Sequence, residues 1–167
     1  MDSRKNNSIL QAVCYIALFF ILFMISFTEI LPLKIGNAYP FPIIAAVITV
    51  AYYYGEWVGF YSGLIVGIFA DSVTAEAVVA NTLTLSVVGC IAGFLLRFYM
   101  NKNIFSAAFL SLCGAAIFFT AKWISNFTLI GFQNGLTYLL FFALPSVIYS
   151  AIFIFPLFFL GKLIKKI

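Results

Sequence analysis

The chain has 167 residues, of which 65% are hydrophobic and 8% charged, and its mean hydropathy is +1.15. A soluble domain carries about 25% charged residues, so the composition excludes one. Solid apolar runs, in place of alternating polar and apolar positions, exclude a transmembrane barrel and predict an all-α integral membrane protein. The net charge of +4 comes from basic residues spread over chain ends and loops. Membrane topology alone requires such a spread, so it gives no reason to expect nucleic acid as a partner.

Six transmembrane helices are predicted in a single membrane domain, 1–167. The first, Ile9–Leu31, follows Arg4 and Lys5, is ended by Pro32, and is too long for the apolar core of a signal peptide. The second, Tyr39–Tyr54, is short and is led by Pro40 and Pro42, which suit a helix start. The third, Glu56–Ala70, follows it with almost no loop, so the two form a tight hairpin at Tyr54-Gly55-Glu56. The fourth, Val78–Phe98, and the fifth, Ile104–Phe127, precede a sixth, Leu136–Leu160, in which Pro145 is expected to cause a kink by removing a backbone hydrogen bond.

The third span carries Gly55, Gly59, Gly63 and Gly67 at intervals of four, and Asp71 occupies the next position in the row. Glycine costs helix stability, about 1 kcal/mol against alanine in a soluble helix. In lipid it has a use: it lets a neighbouring helix approach until the backbones nearly touch. Each step of four advances about 40° beyond a full turn, so Gly55 and Gly67 point about 120° apart. One partner is expected to follow two or three of these glycines and a second to take the other end. Gly89 and Gly93 form a second small-residue pair in the fourth span.

Lysine and arginine set the orientation. With six spans, Arg4, Lys5, Arg97, Lys102, Lys162, Lys165 and Lys166 fall on one side and only Lys34 and Lys122 on the other, which places both termini in the cytoplasm. Asp71 and Lys122 then reach similar depth near the outer face. An ionisable group there finds a partner or water. Either the two pair, with Glu29 and Glu76 as rivals for Lys122, or each extends to the interface by itself. Ser72, Thr74, Glu76, Asn81, Thr82, Thr84 and Ser86 follow Asp71 and form either a small outward cavity or an ordinary loop and span start. Tyr52, Tyr53, Tyr54 and Trp57 cluster where an interfacial aromatic belt would lie.

The chain has no histidine, which removes Ser-His-Asp and Cys-His arrangements and most zinc sites. Cys14, Cys90 and Cys113 are isolated in apolar stretches and read as small buried hydrophobes. No catalytic residue, metal or cofactor is expected, and an enzyme is not.

The Gly59-x3-Gly63-x3-Gly67-x3-Asp71 row, the following small-residue-rich span ending in Arg97, the length and the span count resemble the MreD family, the rod shape-determining membrane proteins of bacteria. The resemblance covers nearly the whole chain. It implies a multi-pass, non-enzymatic scaffold of the cell-elongation (rod) complex in the cytoplasmic membrane. It further implies an MreC-like partner, with MreB, RodA and a class B penicillin-binding protein in a larger assembly that organises peptidoglycan synthesis. The alternative is a substrate-binding S component of an energy-coupling-factor vitamin transporter, also a six-span bundle with a glycine-rich third helix leading to an acid. Against that stand the missing Gly-Pro at the start of the row, short outer loops and no clear polar substrate set.

The orientation is open to a direct check. In a variant whose own cysteines are replaced, Asn6→Cys and Lys165→Cys are expected to resist an impermeant thiol reagent applied to intact cells, and Gln133→Cys to react. Labelling of the Lys165→Cys protein from outside would contradict the six-span reading.

Overall fold

Inside a bilayer the backbone must satisfy its own hydrogen bonds, and the apolar runs do so as helices. A computed structural model describes residues 2–27, 41–74, 80–101, 103–130 and 143–165. The helices are α1 (Asp2–Phe27), α2 (Pro42–Tyr54), α3 (Glu56–Thr74), α4 (Ala80–Phe98), α5 (Ile104–Ile130), α6 (Leu144–Ile152) and α7 (Ile154–Ile164), and no strand occurs among the described residues. Four stretches are long and apolar enough to cross a membrane: Glu56–Thr74, Ala80–Phe98, Ile104–Ile124 and Leu144–Ile164. Two shorter apolar stretches, Leu10–Ser26 and Pro42–Tyr54, pack with them.

The bundle is built around α2. Its sequence is apolar on every side, the pattern of a helix enclosed by protein. Pro42 to Tyr52 are all buried, and all six other helices pack against it. At 13 residues it is about 20 Å long, well short of the roughly 30 Å hydrocarbon core. Neighbouring chain therefore closes its ends. No side chain of its own caps the N-terminus; the Phe41 N–H donates instead to Ser150 Oγ of α6 at 2.9 Å, and the Phe41 ring stacks on Phe118 of α5 with centroids 4.8 Å apart. At the other end Gly55 turns the chain into α3 with φ +93° and ψ −175°, a conformation open in practice only to glycine.

The helix ends sort into two sets. The Tyr15 hydroxyl of α1 donates to the Gly161 carbonyl of α7 at 3.4 Å, and the Tyr15 ring meets Tyr54 edge-on at 5.5 Å. The Tyr53 hydroxyl donates to the Phe158 carbonyl at 3.1 Å. The first half of α1, the α2–α3 turn and the C-terminal ends of α4 and α7 thus share one end of the bundle. Further along, Phe23 of α1 meets Phe69 of α3 at 6.4 Å, so α1 runs with α3 and against α2 and α7.

Pro145 stands in the first described turn of α6, and the residues that precede Ala143, on which the expected kink depends, lie outside the described ones. An interruption falls at Phe153, between α6 and α7, because Pro156 has no N–H for the Ile152 carbonyl and its ring crowds that oxygen. The Phe153 N–H tightens onto the Ser150 carbonyl at 3.3 Å instead.

Candidate functional site

The antiparallel pair α3–α4 holds most of the chain's unusual residues. Its packing follows from steric size. A Cβ placed on Gly63 would stand 2.6 Å from the Leu85 carbonyl carbon and 2.9 Å from Ser86 Cα. On Gly67 it would stand 2.9 Å from the Thr82 backbone nitrogen. On Gly59 it would stand 2.7 Å from the Gly89 carbonyl oxygen and 2.7 Å from Ala51 Cβ of α2. The fit is reciprocal: a Cβ on Gly89 would lie 2.8 Å from the Gly59 carbonyl carbon, and one on Gly93 2.6 Å from the Glu56 nitrogen. Most of these neighbours are backbone atoms, which cannot swing aside. The two helices are therefore held at backbone contact along their shared length, which is how association in lipid gains its dispersion energy. One neighbour, α4, takes Gly59, Gly63 and Gly67, and α2 joins it at Gly59.

Gly55 is not one of the contact glycines. A Cβ there would meet nothing within 4 Å, and the residue is required by its positive φ instead. The spacing of four put it in the row, but the helix starts one residue later, at Glu56.

Each end of the pair is tied by a charge. At one end Glu56 Oε1 accepts a hydrogen bond from Arg97 Nη1 in an ion pair, with the Glu56 side chain 15% exposed and that of Arg97 61%. Solvent screens an ion pair this exposed, so it adds little to stability. At the other end Asp71 reaches across to the start of α4. Its Oδ1 accepts the Asn81 N–H at 3.1 Å, and its Oδ2 accepts the Thr82 N–H at 2.9 Å and the Thr82 hydroxyl. First-turn N–H groups have no partner within their own helix, and the helix dipole favours a negative charge there. Asp71 thus caps α4 from a different helix. Beside it the Thr74 hydroxyl donates to the Ala70 carbonyl at 3.0 Å and accepts from Asn81 Nδ2 at 3.4 Å. Asn81 is fully buried, and among the described residues its Oδ1 has no partner.

Asp71 and Lys122 are not brought together. All three hydrogen bonds of the Asp71 carboxylate run to α4, while Lys122 Nζ lies 5.8 Å from the centroid of the Phe118 ring on its own helix. The orphan N–H groups of α4 are a better-placed partner than a lysine on α5. Glu76 and Glu29 lie outside the described residues. The hydroxyls of Ser72 and Ser86 donate to carbonyls of their own helices, at Ile68 and Leu83. The Glu56–Arg97 pair was missed by sequence reasoning, although a signal existed. In an antiparallel pairing of Gly59 with Gly89, residues 56 and 97 fall at the same end.

On its outer side the pair is apolar, with Ile68 and Val73 of α3 and Leu83, Val87, Ile91 and Phe94 of α4 all exposed. Among the described residues no group of three His, Cys, Asp or Glu side chains is placed to hold a metal. Compared with known proteins, the chain matches no family model, no curated protein and no solved structure.

Three tests follow from this geometry. Gly63→Ala and Gly67→Ala force backbone apart and are expected to destabilise the folded protein by about 1–3 kcal/mol, measured by unfolding in mixed detergent. Gly114→Ala is expected to cost less, because the added Cβ meets only the ends of Val88 and Ile48 side chains. Asp71→Ala, which removes both acceptor oxygens, is expected to cost about 1 kcal/mol, as losing a helix cap does. Reversing both charges, Asp71→Lys with Lys122→Asp, is expected to give purely additive losses. Rescue by the double reversal would show a direct pair.

Proposed function

We propose that this chain is a non-enzymatic scaffold of the MreD kind, multi-pass in the bacterial cytoplasmic membrane with both termini in the cytoplasm. It would take part in the cell-elongation complex. The observation that carries the reading is the α3–α4 pair, in which the glycine row and Asp71 serve to fix one helix against another. Residues used this way build a rigid surface, and the described polar residues that follow Asp71 spend their hydrogen bonds within α3 and α4. The exposed apolar side of the pair suits the single membrane helix of an MreC-like protein, since helices associate in lipid by matching surfaces. MreB, RodA and a class B penicillin-binding protein would join through that complex. The basic residues Arg97, Lys162 and Lys165 sit at the end of the bundle shared by the α2–α3 turn, which supports that end as cytoplasmic.

Depletion of the protein is expected to make rod-shaped cells round up, and the purified protein to bring down a single-span periplasmic coiled-coil protein. Its melting temperature is expected to stay unchanged with each common water-soluble vitamin. A ligand at 100 times its dissociation constant would stabilise by about 2.7 kcal/mol and be readily seen. A clear shift with one vitamin, together with unchanged cell shape on depletion, would replace the scaffold reading by an S component.

A further inference from the structure

Between α1 and α3 runs a groove of about 670 Å³. Its walls are almost wholly carbon, and Ile16, Phe20, Tyr61 and Ile65 on its sides are exposed, so it opens sideways into the membrane. Three features of its shape bear on what fills it.

The first is length. On α1 the lining runs from Gln11 to Phe23, twelve residues or about 18 Å, and on α3 from Val58 to Phe69, about 17 Å. One leaflet's hydrocarbon is about 15 Å deep, half of the roughly 30 Å core. The second is closure. Phe23 and Phe69 meet edge-on at the far end, so the groove is blind there. A membrane-crossing partner helix would run into this contact, whereas a chain entering from the other end stops at it. The third is the polarity of the open end. Tyr54 donates to Gln11 Oε1 at 2.9 Å, which leaves the Gln11 amide nitrogen as a donor at the mouth. Tyr54 also lines a second hollow, of about 290 Å³, with Trp57, Glu56 and Arg97. Arg97 spends one guanidinium nitrogen on Glu56 and stays mostly exposed, so donors remain for an anion. Lys165 stands at the same end, its Nζ 5.5 Å from the Tyr53 ring.

We propose that the α1–α3 groove holds one acyl chain of an anionic phospholipid from the leaflet on the basic side, with its phosphate in the hollow at Arg97 and Trp57. The Gln11 amide donates to the ester carbonyl at the mouth. The site does not rest on the scaffold reading: its groove is walled by α1, α2 and α3, and its hollow draws Arg97 from one end of the α3–α4 pair.

The test uses the full chain with Trp123→Phe, so that Trp57 is the remaining tryptophan of the two. It is reconstituted in phosphatidylcholine vesicles containing either phosphatidylglycerol or phosphatidylcholine with brominated chains. Trp57 emission is expected to be half-quenched at a severalfold lower mole fraction of the anionic lipid, and native mass spectrometry to find one phosphatidylglycerol retained per chain. Arg97→Gln is expected to reduce that preference about fivefold, the contribution of one basic residue near a membrane surface. Ala12→Phe and Ser62→Leu, which fill the groove from opposite walls, are expected to abolish retention, while Ile148→Phe on exposed α6 leaves it unchanged. Equal quenching of the unsubstituted groove by the two lipids would overturn the proposal. So would retention that survives both groove-filling changes, or a partner's helix found in place of the lipid.

Discussion

Backbone contact between α3 and α4 is the constraint on which the remaining arrangement depends. Lipid tails are as apolar as leucine, so burying hydrophobic surface does not by itself drive two membrane helices together. What remains is close packing, and packing at backbone distance is available only where no Cβ intervenes. Gly59, Gly63 and Gly67 clear one side, and Gly89 and Gly93 clear the other. Once these faces meet, register is set as well. Sliding either helix would carry a bulky residue into a space that holds no Cβ.

The two ends of the pair depend on the same register. Asp71 meets the Asn81 and Thr82 N–H groups only because Gly67 lies against Thr82 one turn before. Arg97 reaches Glu56 because Gly93 lies against that residue's backbone. The capped end is the stronger tie. It satisfies first-turn N–H groups of α4 that have no partner within their own helix, whereas the ion pair stands in a largely exposed position and is screened there. Beside this pair, α2 supplies the core. It is too short to span a bilayer alone, and its buried N-terminus is completed by a serine from α6. A helix enclosed on all sides cannot leave its end groups to lipid or water, so the cap had to come from another part of the chain.

Much of the fold was legible because it rests on local properties. Apolar runs of sufficient length made the helices and their approximate limits readable, and the interval of four made Gly59, Gly63 and Gly67 visible as a contact face. Gly55 shared that interval for another reason. Periodicity counts residues and does not register where a helix begins, so a turn glycine was counted as the first step of the row. Pro156 raises the same difficulty: it lacks an N–H, and the consequence falls at Phe153 because the carbonyl four residues earlier belongs to a helix that needs one.

The amino-acid sequence alone determined that the chain has segments apolar and long enough to cross a membrane, their helical character and the existence of a close-contact face, since composition and spacing express these directly. Tertiary structure alone decided the partners. That Asp71 caps α4 and does not pair with Lys122, and that Glu56 meets Arg97, depends on distances across the chain. So does the leaflet-deep groove between α1 and α3. The physical reason is that a charge or an orphan N–H accepts whichever complement is nearest in space, and spatial nearness between helices is set by how their surfaces fit.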